Sequence, residues 1–565
     1  MNTIYDKTDN YGLNLYGDND PADLRDGYNE SMRTIDTTLE THLNRIEAVE
    51  ARETHDEEVA KALLGDNAVD NATAAKTKWD KSSADAATAV SKAELAETQA
   101  TANTRALVAL NAETVEKANN LYNKINSQFF TAINIDKSKN TADQLTAMFA
   151  NGGNFYIPKG NYSIDKKVKV NLTSDLCIIS DGATFTLADN VDTGMFNFTN
   201  TNRQKNNITI VGVKINGNAV NNKLETNVLS SQIVLTDFNN VLLKDVCVEN
   251  YVGFGVTHWG NKSVYGDRLT FRSLVSETSS NSRDGITGAS ENIYLTNIKG
   301  QTGDDLIGIA QNAPWGTSVN TRVKNVYVDN VFSEENTWRV IGVHLDKGDG
   351  IDTIYINNVH GSCVNCIYIG GLDRTYGDSN VRNISINNVF VEIKKNTGID
   401  INGVNSNPIN ITNLYVFNTA VTCLKDDINT CVSIQSCDTT NVYLTNVSLI
   451  SDFDNIANVF SGDSVHNVYV NNCSSNNTIN KSFVLSMSKN LNAETNIYGA
   501  NNQATGQYNI SISADIKHTV NLYGYNWHIN KLTNKKQNTH YVYNDKYIYA
   551  TKSDYYQLQS TVITE

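Results

Sequence analysis

Short segments in which apolar and polar positions alternate recur along the chain after residue 200. Their second and fourth positions are usually apolar, and they recur about every 28 residues without helical linkers. Alternation over four to five residues predicts a β-strand with one face turned inward. One such strand per period excludes a βαβ fold and predicts a parallel β-solenoid with about three short strands per coil. The segments begin at Asn207, Asn240, Ser263, Asn292, Asn325, Thr353, Asn383, Asn413, Asn441, Asn467, Asn496 and Thr519.

The sixth position of the repeated segment is most often asparagine. This residue tolerates left-handed backbone angles and bonds its own backbone at turns. Because equivalent residues of adjacent coils stack at ~4.8 Å, their amides are expected to hydrogen-bond one another as a ladder. The residues are Asn297, Asn330, Asn358, Asn388, Asn418, Asn446, Asn472 and Asn501.

A second column of alternating segments lies between the first ones. It includes GVTHW at 255–259, DGITG at 284–288, DDLIGIA at 304–310, RVIGVHL at 339–345 and CIYIGG at 366–371. Every coil is therefore expected to supply a second strand that stacks on its equivalents.

The first 130 residues follow a different pattern. From Met32 the apolar residues step by three and four, and a second seam of this kind runs from Val108 to Phe129. A helix cannot bury such a narrow stripe alone, so residues 31–130 are predicted to form an oligomeric coiled-coil stalk. Residues 1–30 are polar and show no clear period.

At the other end of the chain, the C-terminal segment HYVYNDKYIYA predicts a β-hairpin.

The composition limits which binding partners are expected. With 46 basic and 61 acidic residues the net charge is −15, which argues against a nucleic acid or an anionic membrane surface as the main binding partner. No stretch approaches the ~18 apolar residues of a membrane span, and the first residues show no standard secretory signal. Eight cysteines do not make a disulfide scaffold in this length, and Cys363 and Cys366 are expected to be buried thiols. No cofactor and no metal are predicted, and synthesis in a reducing cytosol is expected.

The start of the repeat zone carries a resemblance to a known family. It reads NTADQLTAMFANGGNFYIPKGNYSI at 140–164, followed by LCIISDGATFTL. This resembles the entry of the pectate-lyase-like superfamily, in which a short capping helix and a Gly-Gly turn lead into the first strand. The resemblance covers roughly residues 134–530 and implies a mainly β protein built on a right-handed parallel β-helix.

A coiled-coil stalk ahead of such a solenoid, without a signal peptide, is similar to bacteriophage tailspikes and preneck appendages. Those proteins are homotrimers that bind, and often cleave, host surface polysaccharide, and they attach to other virion proteins through the N-terminus. The resemblance implies a virion-attachment segment at 1–30, the stalk at 31–130, the β-helix at 131–530 and a C-terminal β cap or trimer contact at 531–565. It also implies a tail or neck appendage of the virion, assembled in the bacterial host cytoplasm.

Three aspartates are the candidate catalytic residues. Asp284, and Asp304 with Asp305, begin segments of the second column in successive coils, so their carboxylates are expected about 5–10 Å apart. An inverting glycosidase places its two carboxyl groups ~6.5–9.5 Å apart, and clustering raises one pKa to give the protonated acid. Aspartate is also common at strand-entry turns, which is the alternative interpretation.

The pattern of an aspartate followed one coil later by Gly-Asp-Asp resembles the polygalacturonases. That resemblance implies Asp304 as the general acid, with Asp284 and Asp305 positioning the attacking water. The Gly-His-Gly and Arg-Ile-Lys segments of those enzymes are missing here: Arg339 stands where the histidine would fall, with His344 five residues on.

Aromatic and basic residues gather in the same coils and are the candidate substrate-binding residues. Sugar rings stack on aromatic faces, and charged side chains bond their hydroxyls. The candidates are His258, Trp259, Trp315, Trp338, Arg339 and His344.

Three functions remain open from the sequence. The first is a tailspike or appendage that binds and hydrolyses a host cell-surface glycan, such as capsule or teichoic acid. The second is a receptor-binding virion protein without turnover, which the incomplete catalytic motif keeps open. The third is a free pectinase-like carbohydrate-active enzyme, against which the heptad stalk and the missing signal peptide count.

Overall fold

The structure is a computed structural model that describes two short strands near the N-terminus and residues 130–549 with gaps. The gaps are 137–138, 192, 204, 223–229, 274–282, 312–320, 346–349, 372–379, 395–396, 404–408, 425–429, 452–457, 464, 478–482, 489–493, 501–502, 505–507, 514–517, 525–528, 535–538 and 544–545. Side chains are described up to residue 474. The predicted coiled-coil stalk lies outside the described residues, and the two N-terminal strands, β1 (Ile4–Lys7) and β2 (Asn14–Tyr16), pair antiparallel with each other.

Helix α1 (Thr141–Phe149) begins the repeat zone, as the resemblance implied. The Asn140 side chain caps it by accepting a hydrogen bond from the backbone N–H of Asp143 at 2.9 Å. Its apolar face is buried, and the Phe149 ring lies 5.2 Å from that of Phe155 in the next strand. Gly152 and Gly153 then turn the chain with φ values of 68° and 114°, which glycine adopts without steric cost.

Within the described part of the chain, thirty-one strands, from β3 onward, form one continuous hydrogen-bonded system. The strands of the first coils are β3 (Thr131–Ala132), β4 (Gly153–Ile157), β5 (Gly160–Ile164), β6 (Val168–Leu172), β7 (Leu176–Leu187), β8 (Phe196–Asn200), β9 (Asn207–Asn216), β10 (Ser231–Thr236), β11 (Asn240–Lys244) and β12 (Cys247–Tyr251). Those around Asp284, Asp304 and Asp305, called the acid cluster from here on, are β13 (Phe254–Ser273), β14 (Ile286–Gln301), β15 (Asp305–Ala310), β16 (Asn325–Leu345) and β17 (Ile351–Gly371).

The later strands continue the same stack. They are β18 (Asn380–Ile393), β19 (Thr397–Asn402), β20 (Ile409–Cys423), β21 (Thr430–Gln435), β22 (Cys437–Ser451), β23 (Asn458–Asp463), β24 (Val465–Asn471), β25 (Ser474–Asn477), β26 (Phe483–Ser488), β27 (Glu494–Ala500), β28 (Gln503–Ala504), β29 (Tyr508–Ser513), β30 (His518–Gly524), β31 (Ile529–Asn534), β32 (Thr539–Tyr543) and β33 (Lys546–Tyr549). Strands β32 and β33 pair antiparallel, which confirms the predicted C-terminal hairpin.

Successive coils pair in parallel and in the register that the repeats predict, which confirms the parallel β-solenoid. Asn292, Asn325 and Thr353, which begin three repeated segments, are direct partners in β14, β16 and β17. The inward positions form continuous apolar columns, such as Val331, Val359 and Val389, which are fully buried. All eight cysteines are free thiols, and seven of them are buried.

The asparagines at the sixth position take the left-handed conformation that the sequence predicts. Seven of them have φ values between 45° and 57°, and Asn501 lies in a gap. The amide ladder is only partly as predicted. Asn330 donates to Asn297 and Asn472 to Asn446, both at 2.6 Å. Other asparagines donate instead to a neighbouring column, as in the 2.9 Å bond from Asn358 to Asp329.

A second amide ladder, at the first position of the repeated segment, was not predicted. It contains the bonds from Asn240 to Asn207 and from Asn325 to Asn292 at 2.8 Å, from Asn413 to Asn383 and from Asn441 to Asn413 at 3.0 Å, and from Asn467 to Asn441 at 3.1 Å. Each bond satisfies polar groups beside the core and fixes the register of adjacent coils. No helix within the described ranges is long and apolar enough to cross a membrane.

Candidate active site at an acid cluster

Strand register brings the predicted catalytic residues together. Ile286 in β14, Ile307 in β15 and Ile341 in β16 are stacked partners, so the residues that precede them lie over one another. Asp305 is the direct partner of Arg339. Asp284 lies next to the coil of Asp305, because the backbone N–H of the adjacent Gly285 donates to the carbonyl of Asp305 at 2.8 Å.

The three aspartates form a tight cluster. Asp284, Asp304 and Asp305 each offer a carboxylate oxygen, and these oxygens lie within 4.8 Å of one another. Asp284 and Asp305 are only 7% and 2% exposed, whereas Asp304 is half-buried. The cluster is tighter than the predicted 5–10 Å and tighter than the ~6.5–9.5 Å typical of inverting glycosidases.

Asp305 is the centre of an ionic network. Arg339 Nη1 donates to its Oδ1 at 2.6 Å, and His344 Nε2 lies 2.7 Å from its Oδ2. The Tyr368 ring supports both partners: the Arg339 guanidinium lies 4.9 Å from its centroid, and the His344 ring lies 5.6 Å from it. These contacts fix the carboxylate of Asp305 in one orientation.

The pKa values of the two buried carboxyl groups, Asp284 and Asp305, shift in opposite directions. Burial raises the pKa of Asp284 well above its usual range, and the nearby charges of Asp305 and Asp304 add to that rise. Burial would also raise the pKa of Asp305, but the charges and hydrogen bonds of Arg339 and His344 outweigh it and lower that pKa. The cluster therefore separates the pKa values of two neighbouring carboxyl groups, and Asp284 is the more easily protonated of the two.

Three clustered carboxylates could also hold a metal ion. Here, however, Arg339 and His344 already bond both oxygens of Asp305. A cation would have to compete with the guanidinium for the same carboxylate, so the arrangement suits proton sharing better than cation binding.

The predicted substrate-binding residues divide into two groups. Arg339 and His344 join the acid cluster, and the half-buried Trp338 directly precedes Arg339. His258 and Trp259 are buried, at 0% and 7% exposure, and Trp259 packs with the hydrophobic core. Trp315 lies outside the described residues. Among the described residues of this set, Arg339 and His344 bond the carboxylate of Asp305.

His258 is buried because it occupies an inward position. It stacks between Leu235 and Gly288, and its Nδ1 lies 2.9 Å from the hydroxyl of Ser290. Its Nε2 has no hydrogen-bond partner among the described residues. Burial lowers the pKa of His258 to about 3, so the imidazole is neutral in the folded protein.

This buried histidine makes stability fall in acid. The unfolded chain binds a proton at His258 with a pKa near ~6.5, so the stability is fully present above that pH and is lost as the pH falls toward 3. We expect the free energy of unfolding to drop by about 2 kcal/mol more in the parent than in His258→Leu between pH 7.5 and pH 5. Urea midpoints at both pH values measure this, and equal losses in the two proteins would contradict it.

The signals that sequence reasoning missed lie beside the aspartates. Gly308 and Gly342 are register partners, one in each coil that follows a candidate aspartate. The contact between His344 and Asp305 was also missed, although aligning DDLIGIA with RVIGVHL places both residues in neighbouring coils.

No protein-family model matches the chain, and no curated protein or solved structure matches it significantly. The observed solenoid with its capping helix is consistent with the pectate-lyase-like architecture that residues 140–164 resemble.

Proposed function

We propose that the solenoid hydrolyses a cell-surface polysaccharide at the acid cluster. The observation that carries the proposal is the opposite displacement of the pKa values of Asp284 and Asp305 within one cluster. Glycoside hydrolysis needs a protonated acid and an ionised carboxylate on either side of the reacting bond. Pairs of carboxyl groups whose environments separate their pKa values are typical of such acid–base assignments.

Each aspartate has a role in this proposal. Asp305, held ionised by Arg339 and His344, accepts a proton from the attacking water. Asp284, whose pKa is raised, holds the proton of the cluster, and this proton passes through the more exposed Asp304 to the glycosidic oxygen as that bond breaks. Proton exchange with solvent then restores both groups. The resemblance to polygalacturonases likewise assigns the acid role to Asp304. It also implies an inverting outcome, although the carboxylate oxygens, within 4.8 Å of one another, are closer than the ~6.5–9.5 Å of inverting enzymes.

The biological setting is proposed from the order of segments in the sequence. A polar segment, a heptad stalk and a solenoid, in that order, favour a phage tailspike or neck appendage that assembles as a homotrimer in the host cytoplasm. In that setting residues 1–30 attach to the virion, and the solenoid, with the right-handed coil that the resemblance implies, binds host capsule or teichoic acid during adsorption.

A second function, glycan binding without turnover, is favoured by a different observation. Asp284 and Asp305 are almost completely buried, and Asp305 is fully engaged by its two partners. Buried ion pairs of this kind also occur as purely structural elements.

Incubation with purified capsular polysaccharide and teichoic acid separates the two functions. We expect shortened chains on size-exclusion chromatography and a rise in new reducing ends with capsular polysaccharide. Variant Asp438→Asn is the matched control, because Asp438 also meets a histidine, His466 at 2.9 Å, in another coil. Binding of a glycan that stays at full length would contradict hydrolysis and support the second function.

A further inference from the structure

The outward column that passes the acid cluster lacks side chains in two successive coils. In register, the column runs Thr257, Thr287, Gly308, Gly342, Tyr368, Asp400 and Ser433. Gly308 lies in the coil after Asp284, and Gly342 lies in the coil after Asp305. The column thus loses its side chains only in the coils that follow the two buried carboxylates.

The carboxylates of Asp284 and Asp305 lie where side chains at Gly308 and Gly342 would begin. A Cβ atom built on Gly342 would contact Asp305 Oδ2, and it would lie 2.7 Å from Asp305 Cγ and 2.8 Å from His344 Nε2. A Cβ atom on Gly308 would lie 2.6 Å from Thr287 Oγ1 and 3.0 Å from Asp284 Oδ2. The side chains of Asp284 and Asp305 therefore lie across the strand of the following coil.

Backbone conformation does not explain these glycines. Neither Gly308 nor Gly342 has a positive φ, in contrast to Gly288, whose φ is 147°. Alanine is sterically allowed at such backbone angles. An alanine at either position would therefore be excluded by the space it fills beside the Cα atom, and not by its backbone angles.

We propose that Gly308 and Gly342 are positioning residues, which hold Asp284 and Asp305 in the acid cluster by leaving room for their carboxylates over the next coil. The inference rests on the proposed function for its catalytic consequence, although its geometric part can be tested without turnover. Gly342 has the larger role, because a methyl group there meets both Asp305 and His344.

Kinetics test the catalytic part. We expect Gly342→Ala to lower kcat about 100-fold with little change in KM, since a misplacement of about 1 Å has effects of this size. The acidic limb of the pH profile should move upward, because Asp305 loses the contacts with Arg339 and His344 that lower its pKa. Gly308→Ala should have a smaller effect, since Thr287 can rotate. Control Gly160→Ala, where the nearest atom is Tyr162 Oη at 3.3 Å, should change nothing. An unchanged kcat and pH profile in Gly342→Ala would overturn the inference.

Stability tests the geometric part even if no glycan is cleaved. Gly342→Ala should lower the melting temperature in the parent but much less in an Asp305→Ala background, where the displaced carboxylate is gone. Equal losses in both backgrounds would overturn the inference. A crystal structure of Gly342→Ala, or of Gly308→Ala if the first variant fails to fold, should show its carboxylate moved. Failure of glycan cleavage in the parent, together with this coupling, would refute the proposed function and leave the positioning role standing.

Discussion

Changing Asp304 to asparagine is expected to lower the rate of glycan hydrolysis about 10²–10⁴-fold, the usual effect of losing a general acid. Asparagine keeps the size of the side chain but carries no acidic proton. The contacts of Asp305 with Arg339 and His344 remain in place, so the fold and glycan affinity should be retained. Initial rates of reducing-end release, with a melting curve for each variant, measure the effect.

Two further variants separate chemistry from binding. Asp304→Asn/Asp305→Asn should abolish the residual rate as well, because it also removes Asp305, the proposed acceptor of the proton from water. Trp338→Ala should raise KM before it lowers kcat, since Trp338 is half-buried beside the cluster and is proposed to stack on a sugar. A double variant that cleaves at the parent's rate would exclude the acid cluster as the catalytic site.

Val359→Asp is expected to destabilise the solenoid by at least ~3 kcal/mol, because it places an unpaired charge in a closed apolar column. Val359 is completely buried between Val331 and Val389, which are its partners in the coils before and after. Phe390→Asp is the matched control. Phe390 is 47% exposed on the next strand and stacks on His360, so the same charge remains in water there. The urea midpoints of both variants measure this difference, and we expect the midpoint of Val359→Asp to be the lower one. Equal midpoints would show that Val359 does not point into the core.

The fold was predictable because its signals are local. Alternation marks each strand, and asparagines such as Asn297 and Asn330 mark a left-handed turn after it. Once strands recur in every coil, parallel pairing fixes which residues are neighbours. The first-position ladder followed from the same logic but was missed, although most repeated segments begin with asparagine.

The candidate site was less predictable, because the direction in which each side chain points decides whether it can reach the site. His258 and Trp259 were expected to meet substrate as polar or aromatic residues, yet His258 takes the inward position two residues after Val256 and is buried. Proximity of the three aspartates followed from their place in successive coils. The separation of their pKa values did not, because it depends on burial and on the contact of His344 with Asp305.

The parallel register has a consequence for how such a chain can change in length. Asn325 pairs with Asn292 on one side and Thr353 on the other, and it has no direct partner farther along the stack. Stability then accumulates as nearest-neighbour increments, as in a one-dimensional polymer. The acid cluster draws its residues from three consecutive coils, those of Asp284, Asp305 and Arg339. The coil of Tyr368 belongs with them, because its ring supports Arg339 and His344. Coils outside these four can be duplicated or lost without changing the contacts that hold the carboxylates.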